Sequence, residues 1–198
     1  AQLPTGGSLE QADGTAWMAF YCQCMLEMAL ILSEYDRMYE EIAFKFVQHF
    51  MWIAYAMDRV GDNHDEMWDE EDGFFYDLLR LPGGQSMRLK VRSMVGLLPL
   101  CASTVIEGDV VTRYPKLMEM IALFKSRHPE LVSHVAPTEE GFAGHKGRRL
   151  LSILNKNKLQ RVLTYLLDDN EFLGPHGIRS LSKYHQDHPF RFRVGHQQ

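Results

Sequence analysis

Three cysteines in 198 residues, Cys22, Cys24 and Cys101, are too few for a disulfide framework. Cys22 and Cys24 stand two apart in a helical run, so their side chains leave on different faces and cannot share a metal or close a strain-free bridge. A sparse, odd set suits a reducing compartment. Positive charge is also short: the formal net charge is −5 and the pI about 6.0, which excludes a general affinity for nucleic acid or an anionic membrane. No opening segment joins a basic start, an apolar middle and a small-residue cleavage site. The longest apolar run, 17–32, is broken by Gln23 and Glu27, which marks a buried helix before a membrane span. The chain therefore reads as cytoplasmic, with neither nucleic acid nor membrane as a partner.

Several motifs are missing. Gly6-Gly7 is not followed by Gly-Lys-Ser/Thr, so it is no phosphate cradle, and there is no Gly-x-Ser-x-Gly elbow to expose a serine nucleophile. His185 and His188 are three apart beside Pro189 with no Glu motif, so no zinc set emerges. Placing Gly73 sixth in a helix-loop-helix calcium site puts Trp68 and Leu79 where carboxylates are required. Only irregular calcium coordination by Asp69, Glu71 and Asp72 stays open beside the expectation of no metal. The basic run Lys146, Arg148, Arg149, Lys156, Lys158 and Arg161 reads as a charged helix face.

What is present is ordinary soluble composition, 45% hydrophobic and 24% charged, enough for one domain or part of a larger one. Residues 16–33 are apolar nearly all round, the signature of a central helix. Residues 39–57 carry Ile42, Phe46, Phe50, Ile53 and Met57 at helical spacing, with Glu41, Lys45, Gln48 and His49 on the other side. The pair repeats: 93–106 is almost wholly apolar, with Gly96 and Pro99 in it, and 114–127 is amphipathic. This inner-outer alternation predicts an all-α fold, part of an α/α toroid. Alternating runs at 73–81 and 86–91 about Pro82-Gly83-Gly84-Gln85 predict a β-hairpin insertion near residues 74–91. Further helices are expected at 148–154 and, capped by Asn157, at 158–168, with loop over 137–147 and irregular backbone over 172–185.

The chemistry concentrates at 67–77, where five carboxylates and four aromatic rings are contiguous. Aromatic faces and charged acceptors are what a sugar site uses; a solvated acidic turn with a buried aromatic side is the competing reading. Glycoside hydrolysis needs paired carboxylates, and Glu10, Asp13, Asp69, Glu70, Glu71 and Asp72 are the candidates.

Four ordered segments carry a resemblance: Leu3-Pro4-Thr5-Gly6-Gly7 with Glu10-Gln11-Ala12-Asp13-Gly14-Thr15-Ala16-Trp17-Met18; 68–77; Lys90-Val91-Arg92-Ser93-Met94-Val95-Gly96-Leu97; and Gly177-Ile178-Arg179-Ser180-Leu181-Ser182-Lys183-Tyr184-His185. Together the chain resembles bacterial proteins similar to glycoside hydrolase family 63, which includes the mannosyl-oligosaccharide glucosidases. The resemblance implies a partial (α/α)6 toroid, inversion at an α-glucosidic or related bond in an oligosaccharide or glycoside, and no organic cofactor. It also implies a general acid in an Asp-Asn segment before Leu3 and a general base Glu after residue 198. Asp62-Asn63 and Asp169-Asn170 lie elsewhere. The 198 residues are thus expected to form a single domain that is an incomplete segment of a larger catalytic domain, without hydrolase activity alone; a non-catalytic carbohydrate-binding or scaffold fragment is the alternative. By match and chemistry, Gln11, Asp13, Trp17, Trp68, Asp69, Arg92 and Arg179 are the substrate-binding candidates, and Asp13 and Asp69 the in-chain catalytic ones. Uncovered inner helices predict self-association.

Overall fold

A computed structural model describes residues 6–58, 66–132 and 144–192. Leu3, Pro4, Thr5, Asp62, Asn63 and most of the loop expected over 137–147 lie outside them.

Two long helices form the base. Helix α1 (Ala12–Leu32) and helix α2 (Tyr39–Asp58) pack on each other more extensively than any other pair among the described elements. Ala12, Ala16, Ala19 and Ala29 of α1 and Ala43 and Ala54 of α2 are all buried, and Tyr21 of α1 meets Phe46 of α2 edge-on, with ring centroids 6.3 Å apart. Glu40, in the first turn of α2, is buried where its carboxylate accepts the Leu117 amide at 3.0 Å. It thereby caps α4 (Pro115–Arg127), a helix that follows short α3 (Val110–Arg113), opens on a proline and ends on Lys125 and Arg127, the charge and proline placement that favours a helix. A single turn, α5 (Pro129–Val132), and a last helix, α6 (Lys156–Leu166), complete the set. The α6 cap is Asn155, whose side chain accepts the Lys158 amide at 2.9 Å, two residues before the expected cap.

The strands overturn the all-α expectation. Among the described residues six α-helices stand beside nine short strands in four antiparallel sheets, with no ring of helix pairs. β1 (Ser8–Glu10) lies on β4 (Asp77–Arg80), which pairs on its other side with β5 (Ser86–Leu89). The hairpin about Pro82-Gly83-Gly84-Gln85 is therefore present, in register Asp77↔Leu89 to Arg80↔Ser86. A separate small hairpin joins β2 (Trp68–Asp69) to β3 (Phe74–Phe75).

The expected second inner helix, 93–106, is two 3-10 turns followed by β6 (Ser103–Ile106). Pro99 falls in the second turn, and Thr104-Val105-Ile106 is β-branched throughout, which favours strand. β6 pairs with β7 (Arg149–Ser152), where a helix was expected, and the Ser103 and Ser152 hydroxyls meet at 2.7 Å. Gly96 is required at the turn: a Cβ there would sit 2.2 Å from the Phe74 ring and 2.3 Å from the Phe75 carbonyl. β8 (Leu173–Gly174) and β9 (Gly177–Ile178) form the last hairpin.

Candidate functional site

The β2–β3 hairpin is closed by its own aspartate. The Asp69 carboxylate accepts the Asp72 amide at 2.8 Å, and the Asp69 carbonyl accepts the Gly73 amide at 2.7 Å. Gly73 has φ +70°, which favours glycine, and a Cβ would fall 2.1 Å from Arg161 Nε and push that guanidinium aside. The hairpin tip is held by α6: the Arg161 guanidinium donates to the Glu71 carbonyl at 2.9 Å and to Glu70 at 3.1 Å.

From this turn a polar network runs across the molecule. The second Asp69 oxygen meets Arg88 at 3.2 Å and Lys90 at 3.1 Å, and Lys90 also reaches Asp72 at 3.1 Å. Arg88 pairs in addition with Glu66. Tyr76 donates to the Asp72 carboxylate at 2.9 Å, while the Tyr165 hydroxyl donates to the Asp72 carbonyl at 2.6 Å. Arg92 then stacks on Tyr165 and Tyr184, 5.0 and 4.3 Å from the ring centroids, and pairs with Glu171 at 2.6 Å. The Arg92 amide donates to His185 Nε2 at 2.9 Å.

Burial pushes the Asp69 carboxyl up, but the Asp72 amide, Lys90 and Arg88 outweigh it and hold it below the usual aspartate value. Burial pushes the Tyr76 hydroxyl far up, and the Asp72 carboxylate adds to that. Asp69 is therefore an ionised acceptor and Tyr76 a neutral donor.

A second cluster sits at the start of α1. Gln11 holds the N-cap position with extended backbone and no side-chain cap, so the helix begins at Ala12 rather than near Ala16. Its first amide, that of Ala12, is accepted by Asp77 at 2.8 Å. Burial raises the Asp77 carboxyl, the Ala12 amide opposes this, and the neighbouring Asp13 charge adds to the rise. Asp13 and Trp17 are one helical turn apart on the open face of α1, where Trp17 is 51% exposed and touches Phe20 edge-on.

The seven candidates thus fall into two sets on either side of adjacent residues Tyr76 and Asp77. Gln11, Asp13 and Trp17 are open to solvent or half-buried. Trp68 and Asp69 are each 3% exposed. Lys158 and Arg161 lie over the Trp68 ring at 5.1 and 5.6 Å, so that ring presents cations, not a bare face. Arg179 donates to the carbonyls of Asp169, Glu171 and Leu173 and holds the last hairpin. The carboxylate partner of Arg92 is Glu171. Asp77, Lys90, Tyr165 and Glu171 were missed, although Asp77 lay within the acidic 67–77 stretch and Lys90 within the 90–97 segment of the resemblance.

The chain is 41% identical over 204 residues to the uncharacterized protein YMR196W of Saccharomyces cerevisiae, an alignment that takes in 97% of the chain and 18% of the yeast protein. The chain therefore spans under a fifth of the length of this curated relative. No protein-family model and no solved structure matches it.

Proposed function

We propose that the chain is a substrate-holding segment of a larger, family-63-like inverting glycosidase acting on α-glucosidic or related bonds, with general acid and base supplied by other parts of a longer polypeptide. The observation that carries the reading is the open patch at the start of α1: an exposed Trp17 ring one turn from Asp13, with the Asp77 carboxyl beside it. The ring offers a sugar an apolar face, and the carboxylates offer acceptors for its hydroxyls. Asp13 and Asp77 are positioned to bind, and no proton-transfer step is assigned to them.

A second reading, a non-catalytic carbohydrate-binding or scaffold segment, is favoured by the internal satisfaction of the other set. Asp69, Arg92 and Arg179 already spend their polar groups on protein partners.

The test is calorimetric titration of the purified chain with maltose. Trp17→Ala and Asp13→Asn should each weaken binding roughly five- to tenfold, the scale of one ring contact or one charged hydrogen bond, with unchanged melting temperature. No binding at millimolar maltose, or binding indifferent to both changes, would remove the sugar reading. Binding without turnover by a longer polypeptide that includes the chain would favour the second.

A further inference from the structure

A cavity of about 260 Å³ lies among α1, α2, α4 and the β6–β7 sheet, remote from the Asp13–Trp17 patch along α1. Its wall is apolar, with Leu26 and Val47 on the first two helices and Leu117 and Ile121 on α4. Three charged residues also line it: Glu107, Lys125 and Arg149. Glu107 is engaged by Arg148 at 3.0 Å.

Arg149, the first residue of β7 and opposite Ile106 of β6, differs. Its Nε is buried and has no acceptor among the described residues. Buried donors are almost always satisfied, and this one belongs to a cation that lines an apolar space. A small turn of the Arg149 side chain toward the cavity would let an acceptor with an apolar body complete both. A guanidinium matches a planar carboxylate best, through paired N–H donors. As for size, a cavity of about 150 Å³ accommodates benzene, so this one has room for roughly ten heavy atoms on the same scale.

We propose that the cavity binds a medium-chain, unbranched carboxylic acid, its carboxylate on Arg149 and its alkyl chain among Leu26, Val47, Leu117 and Ile121. The Arg149 guanidinium favours the anion over a neutral alcohol of equal length.

Octanoate and 1-octanol, titrated in parallel into the full chain, test this. Octanoate should bind at least tenfold tighter than 1-octanol. Arg149→Gln should abolish that difference while leaving 1-octanol binding as it was, which also shows that the cavity persists. Ala122→Trp, at an exposed position on the lining, should block both ligands; it decides the matter alone if Arg149→Gln does not fold. Equal affinities for acid and alcohol, octanoate binding that survives Arg149→Gln, or indifference of both ligands to Ala122→Trp would each overturn the proposal.

Discussion

Replacing Asp69 by Asn separates a structural carboxylate from a sugar-binding one. In the folded chain the Asp69 carboxylate is buried against one amide and two cations. Asparagine keeps an acceptor for the Asp72 amide but loses the charge facing Arg88 and Lys90. Stripping one partner from a buried pair costs about 3–5 kcal/mol, yet each cation retains a second carboxylate, Glu66 for Arg88 and Asp72 for Lys90. The loss should therefore fall to about 2–3 kcal/mol, nearer the scale of a charged hydrogen bond. For a chain of this length that lowers the melting temperature by about 4–12 °C. The pH dependence fixes the cause. Because folding depresses the Asp69 carboxyl, its contribution is fully present above the unfolded value near pH 3.9 and is lost as pH falls through the folded value. Circular-dichroism melts of the two proteins should differ fully at pH 7 and converge below about pH 4. A difference under about 1 °C at pH 7, or one that persists undiminished in acid, refutes the argument; weakened maltose binding with unchanged stability would move Asp69 into the sugar site.

Gly73→Ala should cost about 2–3 kcal/mol, from the left-handed backbone and from displacing Arg161 off the hairpin tip; a urea midpoint that barely moves would show that the turn can open without loss. On α1, Trp17, Tyr21, Cys24, Met28 and Ile31 recur at alternating four- and three-residue steps, and all but the half-buried Cys24 are exposed. Such a seam takes a partner helix, so the chain alone should self-associate in sedimentation velocity, and Tyr21→Lys with Met28→Lys should return it to monomer. A wild-type monomer throughout the micromolar range contradicts this.

Local signals were readable where they settled a structure by themselves. Helices α2 and α4 lie where their spacing placed them, and Pro82-Gly83-Gly84-Gln85 turns the expected hairpin. The failures are long-range. Whether 103–106 is helix or strand depends on β7, nearly fifty residues away, and no pattern within either segment announces the other. The site divides in the same way. The composition of 67–77 located the carboxylates but not their saturation, because Arg161, Tyr165 and Glu171, which close the network, come from a distant helix and loop.

Helix α1 shows why polarity alone misled the architecture. A helix apolar on every side can be buried on any side, and the inner-ring expectation treated its large side chains as the buried ones. Size decides instead. The small side chains are the buried ones: Ala12, Ala16, Ala19 and Ala29 on α1, and Ala43 and Ala54 on α2. That choice leaves the bulky stripe, Trp17 included, on the outside. Trp17 thus belongs to two arrangements, the sugar patch at the start of the helix and the seam that runs along it, and a ligand stacked on its ring would compete with a helix docked there. The two roles coexist only if the docked surface begins beyond Trp17, at Tyr21, which leaves the first turn of α1 and its Asp77-capped amide as the open end of an otherwise covered helix.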